Sequence, residues 1–103
     1  MADPMKIRAT AAGDSTEVKV LMNHEMETGQ RKDAQGKTIP AWYIQTVTAT
    51  WNGKTVLSAQ WGPAVSKNPF LAFKFRGGAK GDKVQITWVD SKGDKRTDEA
   101  TIA

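Results

Sequence analysis

The stretch WYIQTVTATWNGKTVLSAQW, residues 42–61, decides the fold of this chain. It consists of two runs rich in β-branched and aromatic residues, which favour strands, on either side of Asn52-Gly53. Because Asn-Gly readily takes the positive φ angles of a type I′ turn, it is a strong signal for a β-hairpin. The stretch therefore predicts strands over residues 42–51 and 54–61, joined by a two-residue turn.

The register that this turn sets gives the hairpin two apolar faces. With residue 50 opposite 55 and residue 44 opposite 61, one face collects Trp42, Ile44, Leu57, Ala59 and Trp61. The other face collects Val47, Ala49, Trp51 and Val56. A strand of a sandwich usually buries one face and exposes the other. Either a bulge shifts the register, or a neighbouring loop covers the second face, or that face binds a protein partner.

The rest of the chain has the same β character. Short runs of alternating or β-branched residues, separated by turn residues, predict five further strands at residues 5–10, 16–22, 70–75, 83–89 and 95–102. No helical periodicity of useful length is present. Seven short strands with frequent turns are typical of an antiparallel β-sandwich of immunoglobulin-like type. At 103 residues, we expect a single domain over residues 1–103.

The composition excludes several kinds of chemistry. The chain has no cysteine, which excludes thiol catalysis, disulfides and thiolate metal sites. Its one histidine, His24, is the only available base for a Ser-His-Asp triad, and neither a G-x-S-x-G elbow nor a phosphate-binding loop is present. We therefore expect no enzymatic activity and no bound cofactor. No apolar run reaches about 18 residues, so we expect no membrane span.

Residues 34–81 carry all of the excess positive charge of the chain, whose formal net charge is +4. This segment has six basic residues and no acidic one, whereas residues 1–33 and 82–103 each have a net charge of −1. Such a segment attracts partners of opposite charge, or simply contributes to solubility. The basic residues are spread over many predicted strands and turns, without a recognition helix or an RNP-like motif. We therefore expect no nucleic-acid binding.

The stretch HEMETGQRKDAQGKTIP, residues 24–40, is a long polar connection between predicted strands. Segments of this length without secondary structure are usually functional or disordered. At its start, Met22, His24 and Met26 share a face if the strand continues, and their S, N, S donors suit Cu(I). We instead expect Met22 to belong to the core, His24 to lie on the surface at a strand end, and Met26 to pack under the loop, so that no metal site is present.

The same stretch resembles the SoxZ family through the motif HxMETGQRKDxxGKxIP at residues 24–40. The resemblance continues through WNGKTV at 51–56 and NPFL at 68–71, and it covers nearly the whole chain. SoxZ is the smaller subunit of the SoxYZ sulfur-carrier complex of thiosulfate-oxidising bacteria. Glu25 departs from the family pattern, because relatives tend to have proline at this position.

This resemblance implies a fold, a partner and a place. The fold would be an immunoglobulin-like β-sandwich, and the chain would be a non-catalytic subunit. The partner would be SoxY, whose cysteine on a flexible Gly-rich arm carries sulfur intermediates while other Sox enzymes make transient contacts with the complex. The place would be the periplasm. SoxZ-type chains leave the cytoplasm bound to a signal-bearing SoxY, in keeping with the absence of a secretory signal in MADPMKIRAT, residues 1–10.

The resemblance also directs attention to candidate partner-binding residues in the loop and on the second hairpin face. Arg31 or Lys32 would meet a carboxylate or the anionic group on the carrier arm. The full predicted set is His24, Met26, Glu27, Arg31, Lys32, Trp42, Ile44, Leu57 and Trp61. Without its partner, the apolar face would favour self-association.

Two alternatives to this assignment stay open at the level of sequence. One is a free-standing periplasmic copper-binding β-sandwich that uses Met22, His24 and Met26. The other is a related carrier module that serves another periplasmic oxidation system, since the specificity would lie in the partner.

Overall fold

The computed structural model of the protein describes residues 3–103. It has seven strands: β1 Lys6–Ala12, β2 Ser15–Leu21, β3 Ile44–Trp51, β4 Lys54–Gln60, β5 Phe70–Arg76, β6 Lys83–Asp90 and β7 Lys95–Thr101. They form two antiparallel sheets, in the orders β1-β2-β5 and β4-β3-β6-β7. The predicted all-β fold of immunoglobulin-like type is confirmed, and each strand lies within two residues of its predicted bounds.

The core lies between the two sheets, and its residues come from alternate positions of the central strands. In an extended strand, every second side chain points to the same face, so the apolar positions of β2, β3 and β6 all face inward. Each such side chain stabilises the fold by about 1.5–3 kcal/mol when it is fully buried. The side chains at most 1% exposed in these strands include Val18, Val20, Val47, Ala49, Val84, Ile86 and Trp88.

The hairpin has the predicted turn but not the predicted register. Asn52 and Gly53 have φ angles of 47° and 84°, and Thr50 pairs with Thr55 as expected. The register then shifts between Ala49 and Thr50, so that Ala49 pairs with Leu57. The bulge therefore brings apolar residues that the uninterrupted register placed on opposite faces of the hairpin onto the same face.

The core contacts three residues that the sequence placed together on the second apolar face: Ile44, Leu57 and Ala59. Leu57 lies opposite Ala49, which is fully buried, and packs against the core from β4. A second shift, in the pairing of β3 with β6, lies between Ile44 and Thr46. Ile44 is 0% exposed as a result. The interpretation of Ile44 and Leu57 as part of a second apolar face for a partner is wrong and the alternative of a bulge is confirmed, because each bulge reverses the side to which the following residues point.

The two long sides of the sandwich differ. On one side, Ala103 joins the chain end to β1 by accepting a hydrogen bond from the Ala11 N–H at 3.0 Å and donating one to the Ala9 carbonyl at 2.9 Å. On the other side, no backbone hydrogen bond joins β4 to β5 within residues 3–103. The β4 edge is therefore unpaired. The same residues include no helix of the length and hydrophobicity needed to span a membrane.

Candidate functional site

The long connection between β2 and β3 is an ordered loop that folds back on itself. At its base, the Glu27 N–H donates to the Trp42 carbonyl at 2.6 Å, and the Trp42 N–H donates to the Glu27 carbonyl at 3.0 Å. Further out, Lys32 and Thr38 form an isolated antiparallel bridge. At the tip, one carboxylate oxygen of Asp33 accepts hydrogen bonds from two backbone N–H groups. Paired backbone groups at base, middle and tip give the loop one conformation.

His24 fixes the start of this loop to the body of the sandwich. Its Nε2 lies 3.0 Å from Asp90 Oδ2, and its Nδ1 lies 3.0 Å from the backbone nitrogen of Met26. Because the amide can only donate, Nδ1 accepts, and the ring proton is assigned to Nε2, which donates to Asp90. The side chains of His24 and Asp90 are 1% and 0% exposed. Both ring nitrogens are therefore occupied by protein groups.

Asp90 is the residue on which the end of the sandwich converges. Besides the His24 bond, its Oδ2 accepts a hydrogen bond from Trp42 Nε1 at 2.7 Å. Its Oδ1 accepts from the backbone N–H groups of Lys92 and Asp94 at 3.0 and 2.9 Å. Burial acts to raise the pKa of Asp90, but the hydrogen bonds from His24, Trp42 and the two amides outweigh it and hold the pKa below its usual range. Asp90 is thus a carboxylate whose charge is satisfied by four donors.

Aromatic rings complete what we call the His24–Asp90 cluster, which consists of His24, Trp42, Trp88 and Asp90. The His24 ring lies 4.9 Å from the Trp42 ring and meets the Trp88 ring edge-on at 5.2 Å, centroid to centroid. On the outer side, Lys92 Nζ lies 4.1 Å from the centre of the Trp42 ring, a cation–π contact. The cluster therefore ties the loop, through Trp42, to β6 and the turn after it.

A histidine paired with a buried aspartate also occurs in hydrolases, but this pair lacks the other parts of such a site. In a triad, the ring nitrogen that does not face the carboxylate accepts a proton from a nucleophile. Here that nitrogen, Nδ1, accepts the backbone N–H of Met26 instead. The geometry therefore supports a positioning role for His24 within the loop.

The contacts of Met22, His24 and Met26 disfavour the copper-binding alternative. Met22 is 0% exposed and Met26 is 4% exposed. The Met26 sulfur accepts the Ile44 N–H at 3.3 Å, and both His24 ring nitrogens are hydrogen-bonded. Cu(I) would have to displace these bonds within a packed interior. In residues 3–103, no three His, Asp or Glu side chains lie close enough together to hold a metal ion.

The structure divides the predicted partner-binding residues by accessibility. Four have side chains that the loop or the β3 bulge turns inward: His24, Met26, Glu27 and Ile44 are 6%, 4%, 8% and 0% exposed. These four are removed from the predicted contact surface, because a side chain enclosed by its own chain offers a partner almost no area. The accessible residues are Arg31 and Lys32, which are exposed, and Trp42, Leu57 and Trp61, which are half-buried.

Arg31 and Lys32 differ in their freedom to meet a partner. Arg31 Nε and Nη2 donate to the Glu27 carboxylate at 2.7–3.2 Å, although the Arg31 side chain is 63% exposed. The hydrogen bond from Arg31 lowers the pKa of Glu27 against the opposing effect of burial. Lys32 is exposed and has no ion pair within the part of the chain that the structure describes. Of the two, Lys32 is the cation available to an outside carboxylate.

Comparison with protein families gives one match of nearly full length. The family described as "Sulphur oxidation protein SoxZ" matches residues 5–101. The chain belongs to the SoxZ family. The resemblance seen in the sequence is confirmed, and membership gives this SoxZ chain a role in sulfur oxidation. A comparison with curated proteins gives no match.

Several solved structures share the fold of this SoxZ chain. A superoxide reductase in the oxidized state is 15% identical, with a TM-score of 0.64 over 99% of this chain and 89% of that one. A hypothetical protein from Pyrococcus horikoshii is 15% identical, with a TM-score of 0.63 over the same shares. A superoxide reductase (neelaredoxin) from Ignicoccus hospitalis is 11% identical, with a TM-score of 0.60 over 99% and 82%. At these identities the likeness shows the fold alone.

Asp90 is the site residue that sequence reasoning missed in SoxZ, and a signal for it exists. The inward positions of β6 are Val84, Ile86 and Trp88, and the next position of the same alternation is Asp90. A carboxylate at an inward position must find donors, because an unsatisfied buried charge costs several kcal/mol. The alternation therefore indicates a buried polar cluster at this strand end, although it does not identify the partners.

Proposed function

We propose that this chain is the non-catalytic subunit of a SoxYZ-type sulfur-carrier complex and that it binds a SoxY-type chain as a heterodimer. The family match over residues 5–101 carries this proposal. The sequence supports it, because a chain without cysteine cannot bind sulfur through a thiol and needs a partner that supplies one. In this account the SoxY-type chain bears the sulfur on its cysteine, and the present chain holds that partner for the enzymes of the pathway.

The proposed contact with the SoxY-type chain runs along the β4 edge and onto the loop. The β4 strand has an unpaired edge, where the core-facing Leu57 and Trp61, the residue directly after β4, are half-buried. Trp61 also donates its backbone N–H to the Gln45 carbonyl at 2.9 Å, which places it at the loop end of the sandwich. An open strand edge with half-exposed aromatic and aliphatic residues suits pairing with another chain. The proposed contact also includes Trp42 and Lys32, which are accessible on the loop.

We place the complex in the periplasm, with export of this chain bound to a signal-bearing partner. An oxidising compartment suits a carrier that works through thiol chemistry. In the isolated chain, the same β4 edge would favour self-association. The identity of the oxidation system served would follow from the partner.

Trp61→Ala tests the proposed contact. Aromatic residues at the centre of an interface often contribute 2 kcal/mol or more, so we expect the variant to weaken binding of the SoxY-type chain by roughly thirtyfold. The matched control is Gln60→Ala at the exposed last residue of β4, next to Trp61, which should leave the affinity nearly unchanged because a strand edge pairs through its backbone. Affinities are measured by titration calorimetry of the purified chains.

Since Trp61 also packs against the core, the urea midpoint of each variant is measured first, and only folded protein is titrated. Equal affinities for Trp61→Ala and Gln60→Ala would place the interface elsewhere on the molecule. Loss of binding by both variants alike would argue against a contact centred on Trp61.

A further inference from the structure

The outward side of the three-stranded sheet is unlike the rest of the surface. In β1, β2 and β5, every second residue points toward the core and the residues between them point toward solvent. The charged and large apolar residues at the outward positions form what we call the basic outer face. They are Lys6, Arg8, Glu17, Lys19, Leu21, Phe70, Lys74 and Arg76.

This face carries the whole net charge of the protein. It has five basic residues and one acidic residue, whereas the remainder of the chain has ten of each. The excess charge therefore does not follow the middle segment of the sequence, residues 34–81, which contributes only Lys74 and Arg76 to the face. The sheet assembles the patch from three strands that are distant in sequence.

The cations of the basic outer face are short of carboxylate partners. Glu17 is shared between Lys19 at 3.5 Å and Lys74 at 3.9 Å. Arg8 lies directly opposite Lys19 in the β1–β2 register, and Arg8 has no ion pair within residues 3–103. Like charges directly opposite each other on neighbouring strands destabilise a sheet. Carboxylates from outside the chain would relieve this repulsion.

An apolar pair lies beside these cations. Leu21 and Phe70 are 41% and 63% exposed, and they are the exposed large hydrophobic residues of the described chain. They face each other across β2 and β5, in the same row as Lys6. A shallow depression of about 300 Å³ is lined by this pair together with Lys6, Ile7, Arg8 and Lys19. An apolar contact surrounded by cations is thus built into one face of the sheet.

We propose that the basic outer face docks a second protein, through a contact surface rich in carboxylates that presents an apolar side chain to Leu21 and Phe70. The cations stand on neighbouring strands about 5 Å apart and on alternate residues about 7 Å apart, all on one open sheet face. Such spacing matches carboxylates spread over a protein surface, whereas a small anion needs donors that converge on a point. Leu21 and Phe70 alone offer a small apolar area for a membrane anchor, whose binding strength grows with the apolar area that it buries.

This docking surface is separate from the contact proposed for the SoxY-type chain. That contact lies at the β4 edge of the four-stranded sheet, whereas the basic outer face belongs to the other sheet. Of the strands that form this face, only β5 borders the side of the sandwich on which β4 lies. Complementary charge mainly accelerates encounter and sets orientation, and a contact of this size suits a transient complex. The proposal therefore adds a second interaction, and its test does not depend on the first.

The test uses the full chain, labelled with ¹⁵N, and two peptide probes of equal length. One probe is oligo-L-glutamate, and the other is the same peptide with one central leucine. We expect amide shifts confined to β1, β2 and β5, at residues 6–8, 17–21 and 70–74. The leucine peptide should bind more tightly than oligo-L-glutamate. In Phe70→Ala, the two peptides should bind with equal affinity. Shifts spread evenly over Lys37, Lys54 and Lys80 would overturn the proposal, as would equal affinity of the two peptides.

Charge reversal gives the matched comparison. The pair Arg8→Glu and Lys19→Glu should weaken binding by roughly tenfold or more, because it places carboxylates against carboxylates. The control pair Lys54→Glu and Lys80→Glu changes the net charge equally at exposed positions off this face, and should retain affinity within roughly twofold. Equal losses in both pairs would overturn the proposal in favour of unspecific charge attraction. Tighter binding to phosphatidylglycerol vesicles than to the leucine peptide, or full competition by inorganic phosphate, would overturn it in favour of a lipid surface or a small anion.

Discussion

At the level of single residues, the end of the sandwich that carries the long loop depends on one carboxylate. Asp90 accepts four hydrogen bonds and is 2% exposed, so its charge is compensated entirely by protein donors. Asp90 holds both ends of the long loop, because it accepts hydrogen bonds from His24 at the start of the loop and from Trp42 at its end. A change at Asp90 should therefore act on the stability of the protein and on the shape of the loop together.

We predict that Asp90→Asn destabilises the protein by about 2–4 kcal/mol, because the amide loses the charge and leaves buried donors poorly matched. Urea unfolding at neutral pH measures this change. The control is Asp94→Asn in the same turn, where the exposed side chain makes no hydrogen bond within the described residues. We expect the control to remain within about 0.5 kcal/mol of the wild type.

The pH dependence of the free energy of unfolding provides a second test of the Asp90→Asn variant. The pKa of Asp90 is lowered in the folded state, so its contribution is fully present above the unfolded pKa of about 3.9 and is lost as the pH falls through the folded value. The difference between wild type and Asp90→Asn should therefore shrink below about pH 4. A difference that stays constant into strong acid would mean that the charge of Asp90 contributes nothing.

At the level of elements, the long loop packs closely against the segment that leads into β3. Gly29 has a φ of 87°, and a Cβ at this position would lie 3.1 Å from the Ala41 Cβ. Gly36, at the loop tip, has a φ of 80° and open space around it. Both positions require a backbone conformation that side chains disfavour, but only Gly29 also requires close packing.

We predict that Gly36→Ala costs about 1 kcal/mol of folding free energy, from the positive φ alone. Gly29→Ala should cost about 2 kcal/mol or more and should also weaken binding of the SoxY-type chain, since the base of the loop must move. Urea unfolding and calorimetric titration of the two variants give both quantities. Equal behaviour of the two variants would contradict a loop packed through Gly29.

The hairpin and the loop also show which features of these elements can be predicted from the sequence. Asn52-Gly53 and the alternation within each run predict the turn and all seven strands, because these depend on neighbouring residues. The two apolar faces of the hairpin allowed a bulge as one interpretation, but its position at Ala49/Thr50 was not predictable, because it depends on how β3 meets β4 and the core together. Likewise, His24 stood out in the sequence, but its bond to Asp90 joins residues 66 positions apart. Such a contact is fixed only when the two sheets pack.

At the scale of the whole molecule, the chain is an elongated sandwich of about 53 × 20 × 20 Å with different chemistry on different sides. One side has the open β4 edge and the loop, and the outer face of the other sheet has the net positive charge. The proposed non-catalytic subunit would need surfaces of this kind, since its contribution would be to hold one protein and to meet others. Membership of the SoxZ family connects these surfaces with sulfur oxidation.

The most direct test of the central claim is the native mass of this chain after co-expression with a SoxY-type chain. We predict a one-to-one heterodimer that survives dilution to nanomolar concentration, as stable subunit pairs do. The control is the same partner co-expressed with Trp61→Ala, whose complex should fall apart into mostly separate chains at the same dilution. Recovery of the wild-type chain alone, or paired only with itself, would contradict the claim that it is the partner-binding subunit of a sulfur-carrier complex.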